Sequence, residues 1–206
     1  MGSITRVGIL GSGIMGAGLA EVAARAGYQV VVRSRSLEAV NEMKATIDRD
    51  FLKAIQRGRL TDEERLTLLG RITETDDLDH VADCDLVIES VVEDLDVKLR
   101  LFEELDRVVK PGSILATNTS TLPVVAMARA TQRPDLVCGI HFFNPAPVMT
   151  VVEIVRPITA SDETIAIAIE FAHRCGKDVV ETKDRAGFVV NALLFPYLND
   201  AIKMLE

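Results

Sequence analysis

Three glycines near the N-terminus, in Gly11-Ser12-Gly13-Ile14-Met15-Gly16, have the G-x-G-x-x-G spacing that lets a backbone wrap closely around a pyrophosphate. In that chemistry Gly11 turns the chain, Gly13 admits a phosphate where a Cβ would collide, and Gly16 lets the following helix pack close. The unpaired N–H groups of that helix then face the negative charge, with Ile14 and Met15 as further cofactor-binding candidates in the turn. Alone, the pattern also fits a glycine-rich turn in an unrelated fold. Its flanks favour the dinucleotide: Arg6–Leu10 is an apolar run suited to a buried strand, and residues 17–26 are rich in alanine, a strong helix former.

Other candidates stand where further apolar runs end, the edge at which open α/β sheets bind ligands. Ser34-Arg35-Ser36 follow the second run, Glu89 to Glu93 the fourth, Asn118-Thr119-Ser120-Thr121 the fifth and His141-Phe142-Phe143-Asn144-Pro145 the sixth. The second strand of an NAD-binding fold usually ends in an acid that holds the adenosine 2′-hydroxyl. Here that position is Ser34, between Arg33 and Arg35, and no carboxylate follows before Glu38. Loss of the acid removes repulsion against a 2′-phosphate, and Arg35 offers a guanidinium of bidentate geometry, with Ser34 and Ser36 as added donors. The expected cofactor is NADP(H) ahead of NAD(H); the competing reading leaves both arginines in solvent.

His141 and Glu153 taken singly say less. A histidine closing an apolar strand is more often a satisfied structural imidazole, and Glu153, within Val151-Val152-Glu153-Ile154-Val155, also reads as an outward-facing strand residue. Its apolar neighbours equally suit a buried carboxylate that needs a partner. Asn191 interrupts a densely apolar run, which predicts a buried amide with a defined partner.

The scaffold that would gather these residues is legible in the composition. The 206 residues are 48% hydrophobic, 4% aromatic and without tryptophan, a mixture suited to an α/β core of Val, Ile, Leu and Ala. The net charge of −8 is spread along the chain, so nucleic acid and anionic membrane surfaces are not expected partners. Cys84, Cys138 and Cys175 are far apart and lack metal-ligand spacing, which predicts reduced thiols, no metal site and a cytoplasmic setting. No apolar run reaches membrane-spanning length and no leader pattern precedes the first strand.

Strand-like and helix-like runs alternate along the chain. Strands are expected at Arg6–Leu10, Gln29–Arg33 and residues 71–73, 85–89, 113–117, 136–142, 151–155 and 179–181. Between them lie helices over 17–26, Leu37–Gln56 capped by Ser36, a segment with the Thr61/Glu64 capping-box spacing, 98–109 and Asp162–Arg174. This order predicts a Rossmann-type, doubly wound, mostly parallel sheet over residues 1–184. From residue 185 the pattern changes to an apolar helix that carries Pro196 and runs to Glu206. It reads as the opening helix of a truncated all-α domain, with Val189, Leu193, Leu194 and Tyr197 exposed and prone to association.

Taken together, GSGIMGAGLAE, DLVIESVVED, ATNTSTLP, GIHFFNPAPVM, VVEIV and DRAGFVVNALLFPYL resemble the 3-hydroxyacyl-CoA dehydrogenases, and most of all their bacterial 3-hydroxybutyryl-CoA branch. The resemblance runs from Arg6 to the end of the chain, in family order and spacing. It implies an oxidoreductase that moves hydride between C3 of an acyl-CoA and a nicotinamide. His141 matches the group that takes or returns the hydroxyl proton, and Glu153 its orienting carboxylate. Ser120 and Asn191 match donors to the reacting oxygen, Glu93 and Lys98 positions near the nicotinamide ribose, and Asn118 the loop beneath the nicotinamide. Arg59 aligns with a basic residue that meets the CoA phosphates, although a solvated arginine is an equal reading. The resemblance further implies a homodimer formed through the helical domain. Two alternatives stay open: a gulonate-type sugar-acid dehydrogenase of the same fold, and a nucleotide-binding fragment without turnover.

Overall fold

The computed structural model describes residues 4–205; Met1-Gly2-Ser3 and Glu206, the last residue of the expected terminal helix, lie outside the described residues. Eight strands form one sheet: β1 (Arg6–Leu10), β2 (Gln29–Arg33), β3 (Ile72–Thr75), β4 (Leu86–Glu89), β5 (Ile114–Thr117), β6 (Val137–Phe142), β7 (Val151–Arg156) and β8 (Asp178–Lys183). Their order is β3-β2-β1-β4-β5-β6-β7-β8. The first six are parallel in the 3-2-1-4-5-6 order of a dinucleotide-binding fold, β7 reverses against β6, and β8 runs parallel to β7. The sheet is doubly wound and mostly parallel, as the alternating runs predict.

The helices are α1 (Ile14–Arg25), α2 (Leu37–Gln56), α3 (Asp62–Gly70), α4 (Leu95–Val108), α5 (Val124–Arg129), α6 (Asp162–Arg174) and α7 (Val190–Lys203). Four of them, α2, α3, α4 and α6, start on a side-chain cap that satisfies otherwise unpaired N–H groups. The Ser36 hydroxyl accepts from Ala39 N–H at α2, Thr61 and Glu64 form a reciprocal capping box at α3, and Ser161 accepts from Thr164 N–H at α6. The α4 helix begins three residues earlier than expected because Asp94 caps it. The α5 helix has no counterpart in the sequence reading: it is six residues long and opens directly after Pro123, too short for a hydrophobic period to show.

Alternate strand residues point to opposite faces. Val30, Val32, Leu86, Ile88, Ile140 and Ile154 pack under α1, α2 and α6, through residues such as Leu19, Phe51 and Phe171. Val31, Val87, Leu115, Val137 and Val155 pack under α4 and α5, against Phe102, Leu105 and Met127. Burying each of those large helical side chains contributes about 1.5–3 kcal/mol. At Gly139 a Cβ would lie 2.7 Å from Val155 Cβ and 3.3 Å from Val124, so the absence of a side chain lets α5 and β7 close over β6. Cys84 and Cys138 are buried thiols and Cys175 is half-buried, all unpaired.

The second face has a distinct polar row. Glu89 is paired in register with Thr117, Thr117 with Gly139, and His141, two residues on, with Glu153. The chain leaves β8 through Asp184, passes Gly187 (φ +74°) and Phe188 (φ +49°), and enters α7. A left-handed backbone at a bulky residue costs on the order of 1–3 kcal/mol. The α7 helix runs on through Pro196 and has no buried residue, with Leu193 and Tyr197 among its exposed apolar side chains.

Candidate active site

The glycine turn leaves β1 where the carboxyl ends of β2 and β4 crowd it. Gly11 N–H donates to the Arg33 carbonyl (2.9 Å), and at φ +113° a Cβ on Gly11 would sit 2.3 Å from the Ser90 carbonyl oxygen. A Cβ on Gly16 would lie 2.0 Å from the Gly11 oxygen. Gly13 differs: nothing lies within 4 Å of where its Cβ would be. Two of the glycines are therefore demanded by the fold itself, and the third faces open space at the start of α1, where no side chain caps the helix. That is the geometry of a backbone cradle for a phosphate. Ile14 is 77% exposed beside it, and Met15 is half-buried against the core.

Across the cradle, Ser12 Oγ donates to Ser34 Oγ at 2.9 Å, which joins the turn to the end of β2. No carboxylate occupies that strand end. Arg33 turns its Nε to the Asp76 carbonyl (3.2 Å), while Arg35 is exposed and makes no hydrogen bond or ion pair among the described residues.

His141 and Glu153 face each other across the antiparallel β6–β7 pair, Nδ1 to Oε2 at 2.7 Å, the imidazole 7% exposed and the carboxylate fully buried. The other carboxylate oxygen, Oε1, accepts from Val189 and Val190 N–H, both at 2.9 Å, at the start of α7. Burial alone would raise the Glu153 carboxyl, but the His141 contact and these two N–H groups outweigh it and hold it below the ordinary carboxylate range. A carboxylate can only accept, so Nδ1 carries the proton and Nε2 presents a lone pair. Two rings enclose the imidazole: Phe143 at 4.5 Å and Phe188 at 5.5 Å between centroids.

Lys98 and Glu93 belong to a second cluster. The Lys98 ammonium, 1% exposed, pairs with Glu89 (2.6 Å) and Glu93 (3.2 Å). Glu89 is fully buried and also accepts from Thr117 Oγ1 and Val91 N–H. Glu93 accepts from the Thr119 hydroxyl, from Ser120 N–H (3.1 Å) and from the Thr121 hydroxyl (3.3 Å). Burial works to raise the Glu93 carboxyl, yet Thr119, Lys98 and Ser120 together hold it below its usual value. The loop after β5 is thus clamped through Glu93 while the Ser120 hydroxyl makes no hydrogen bond among the described residues. Thr119 Oγ1 also accepts from Leu122 N–H at 3.0 Å, ahead of α5, whose start has no side-chain cap. Asn118 Oδ1 accepts from Phe142 N–H (2.9 Å), which locks this loop to the end of β6 beside His141.

Two candidates are placed otherwise. Arg59 is exposed on the turn between α2 and α3; its neighbour Leu60 lines an open groove of about 400 Å³ with Arg25 and Arg71, at the amino-terminal side of the sheet. It is not brought to His141. Asn191 is half-buried rather than buried, and its amide has no partner among the described residues, because nothing packs over α7. It does follow directly on Val190, which is bonded to Glu153. Sequence reasoning placed Glu89 only at a strand end, without its partner, and passed over Thr117 and Asp184. An acid ending a buried strand, with a lysine nine residues on in the buried face of a helix, is the signal that marks Glu89 and Lys98 as partners. Asp184 has no such signal: its carboxylate accepts from Val124 and Val125 N–H at α5, sixty residues away in the chain.

The chain matches the family model described as 3-hydroxyacyl-CoA dehydrogenase, NAD binding domain, over residues 6–185. It is 47% identical over 206 residues to a 3-hydroxybutyryl-CoA dehydrogenase of Mycobacterium tuberculosis, covering 99% of this chain and 72% of that protein. The crystal structure of M. tuberculosis FadB2 superposes with a TM-score of 0.96 at 47% identity, over 99% of this chain and 72% of the other. That of (S)-3-hydroxybutyryl-CoA dehydrogenase PaaH1 from Ralstonia eutropha gives 0.95 at 37% identity, over 97% and 70%.

Proposed function

Since the chain belongs to the 3-hydroxyacyl-CoA dehydrogenase family, we propose that it interconverts (S)-3-hydroxyacyl-CoA and 3-ketoacyl-CoA, with 3-hydroxybutyryl-CoA as the favoured substrate. The observation that carries this is the buried His141–Glu153 pair at 2.7 Å, set at the ligand-binding edge of a sheet with an open glycine cradle. A bound nicotinamide dinucleotide supplies the hydride acceptor or donor. The chain's own residues do the rest. Nε2 of His141 takes the C3 hydroxyl proton as the alcohol is oxidised and returns it on reduction, the general acid–base role an imidazole can run in either direction. Glu153 fixes the tautomer and stabilises the imidazolium, the base-and-orienter logic of a triad without a nucleophile. The unpaired Ser120 hydroxyl and Asn191 amide are the donors for the reacting oxygen, where developing charge gains most from fixed dipoles. Glu93, clamped by Lys98, and Asn118, tied to β6, shape the nicotinamide end.

The cradle residues fit a dinucleotide of either kind. For the finer choice our reading is NADP(H), on the strength of the carboxylate-free β2 end and the unpaired Arg35. We place the domain boundary after Asp184 and read the exposed apolar face of α7 as the seat of a helical domain and of a homodimer. No helix among the described residues is long and apolar enough to cross a membrane, and we propose a cytoplasmic enzyme.

The test is acetoacetyl-CoA-dependent oxidation of NADPH and NADH, followed by nicotinamide absorbance, beside dinucleotide binding by calorimetry. Turnover with preference for NADPH is the expected result. Activity on gulonate or free hydroxy acids but not on acetoacetyl-CoA would favour the sugar-acid alternative, and binding without turnover the fragment reading.

A further inference from the structure

We propose that Phe188 is a positioning residue of this reaction, its ring holding the His141 imidazole in the plane that meets Glu153; the assignment rests on reading His141 as the proton-transfer group. Phe188 is the non-glycine residue with positive φ among the described residues, at +49°. Glycine or asparagine adopts that conformation readily, whereas a bulky aromatic does so only when its surroundings impose it. The ring is 7% exposed and stands edge-on to the imidazole, with centroids 5.5 Å apart and planes at 61°. Phe143 closes another side at 4.5 Å and 57°. Both distances lie within the range of favourable aromatic pairs.

The same turn aims the backbone. Phe188 follows Gly187, at φ +74°, where a Cβ would come 2.9 Å from Ala192 N. Through these two left-handed residues the chain reverses so that Val189 and Val190 N–H both reach Glu153 Oε1. Upstream, the Asp184 carboxylate accepts from Val124 and Val125 N–H at 3.1 and 2.7 Å, which fixes the start of the segment to α5. The stretch from Asp184 to Val190 is therefore pinned at both ends, and Phe188 stands between the pins. One turn seats a ring on the histidine and two donors on its carboxylate. An apolar filler at this place would need only volume; the left-handed backbone is explained when the ring must stand on the imidazole while the next two N–H groups reach Glu153.

The test is ¹⁵N NMR of the imidazoles in the full 206-residue chain, with His80 and His173 as internal controls and folding checked by circular dichroism. Phe188→Gly removes the ring together with the backbone strain; Phe188→Leu keeps apolar volume in case the glycine variant loses its fold. In both we expect His141 to move from the Nδ1-protonated tautomer toward a mixture, with His80 and His173 unchanged. In turnover, kcat should fall about tenfold while KM for acyl-CoA and dinucleotide stays within about twofold, and Phe188→Leu should cost nothing further in a Glu153→Gln background. His141 resonances identical to the parent's in the folded variants would overturn the assignment. Absence of turnover in the parent bears on the proposed activity alone, and the His141 resonances still decide the role of Phe188.

Discussion

His141 and Glu153 are direct register partners on antiparallel strands, so their side chains leave the same face of the sheet and meet at 2.7 Å. Were β7 parallel to β6 like the strands before it, the same residues would need a different register to meet. The reversal of one strand makes the pair, and α7 completes it by spending its first N–H groups on the second carboxylate oxygen.

Glu153→Gln keeps the shape and removes the charge that orients and stabilises the imidazolium. The expected result is a fall in kcat of about 10²–10⁴-fold, with KM for the dinucleotide little changed because the cradle is untouched. Steady-state kinetics beside a thermal melt separates this from loss of fold.

Gly13→Ala and Gly16→Ala should part company. The first adds a Cβ to open space and is expected to leave the melting temperature unchanged while weakening dinucleotide binding about tenfold or more, roughly 1.4 kcal/mol. The second drives a Cβ to 2.0 Å from a backbone oxygen and should destabilise the fold itself. Equal effects of both on stability would count against an open cradle.

Ser34→Asp restores an acid to the end of β2, beside Ser12 and Arg35. It should move the NADPH-to-NADH preference toward NADH by about tenfold or more, read as the ratio of kcat/KM values. Arg35→Ala should weaken NADPH alone.

Lys98→Met leaves the fully buried Glu89 without its cation and should destabilise the chain by about 3–5 kcal/mol in denaturant unfolding. Pairing it with Glu89→Gln removes both charges and should recover most of that loss. The recovered protein is still expected to bind cofactor poorly, because Glu93 then has no ammonium to hold it.

Asp85 accepts from Thr5 N–H and hydroxyl, Arg6 N–H and the Lys110 ammonium. Burial pushes its carboxyl up, but these donors prevail and lower it from 3.8 to about 2. Because the folded value lies below the unfolded one, its stabilisation is complete above pH 3.8 and is lost as pH falls through about 2. Asp85→Asn should therefore lower stability by about 2 kcal/mol near neutral pH, with the gap closing in acid. A gap that persists at the lowest pH would locate the effect elsewhere.

What the sequence determined by itself is local. Glycine spacing, apolar runs of strand length, Ser36 and Thr61 as caps, and a missing acid at Ser34 each depend on a few neighbouring residues, and each has a physical signature in one dimension. The parallel order of the first six strands follows from alternation with helices. Tertiary structure decided the meetings. That His141 faces Glu153, that Lys98 is buried between Glu89 and Glu93, and that Asp184 reaches α5 depend on strand direction and on contacts between distant residues, which no local pattern encodes. Phe188 shows it most sharply, since its identity reads as one more apolar residue in a run, and only its left-handed backbone and its ring against His141 reveal what position it holds.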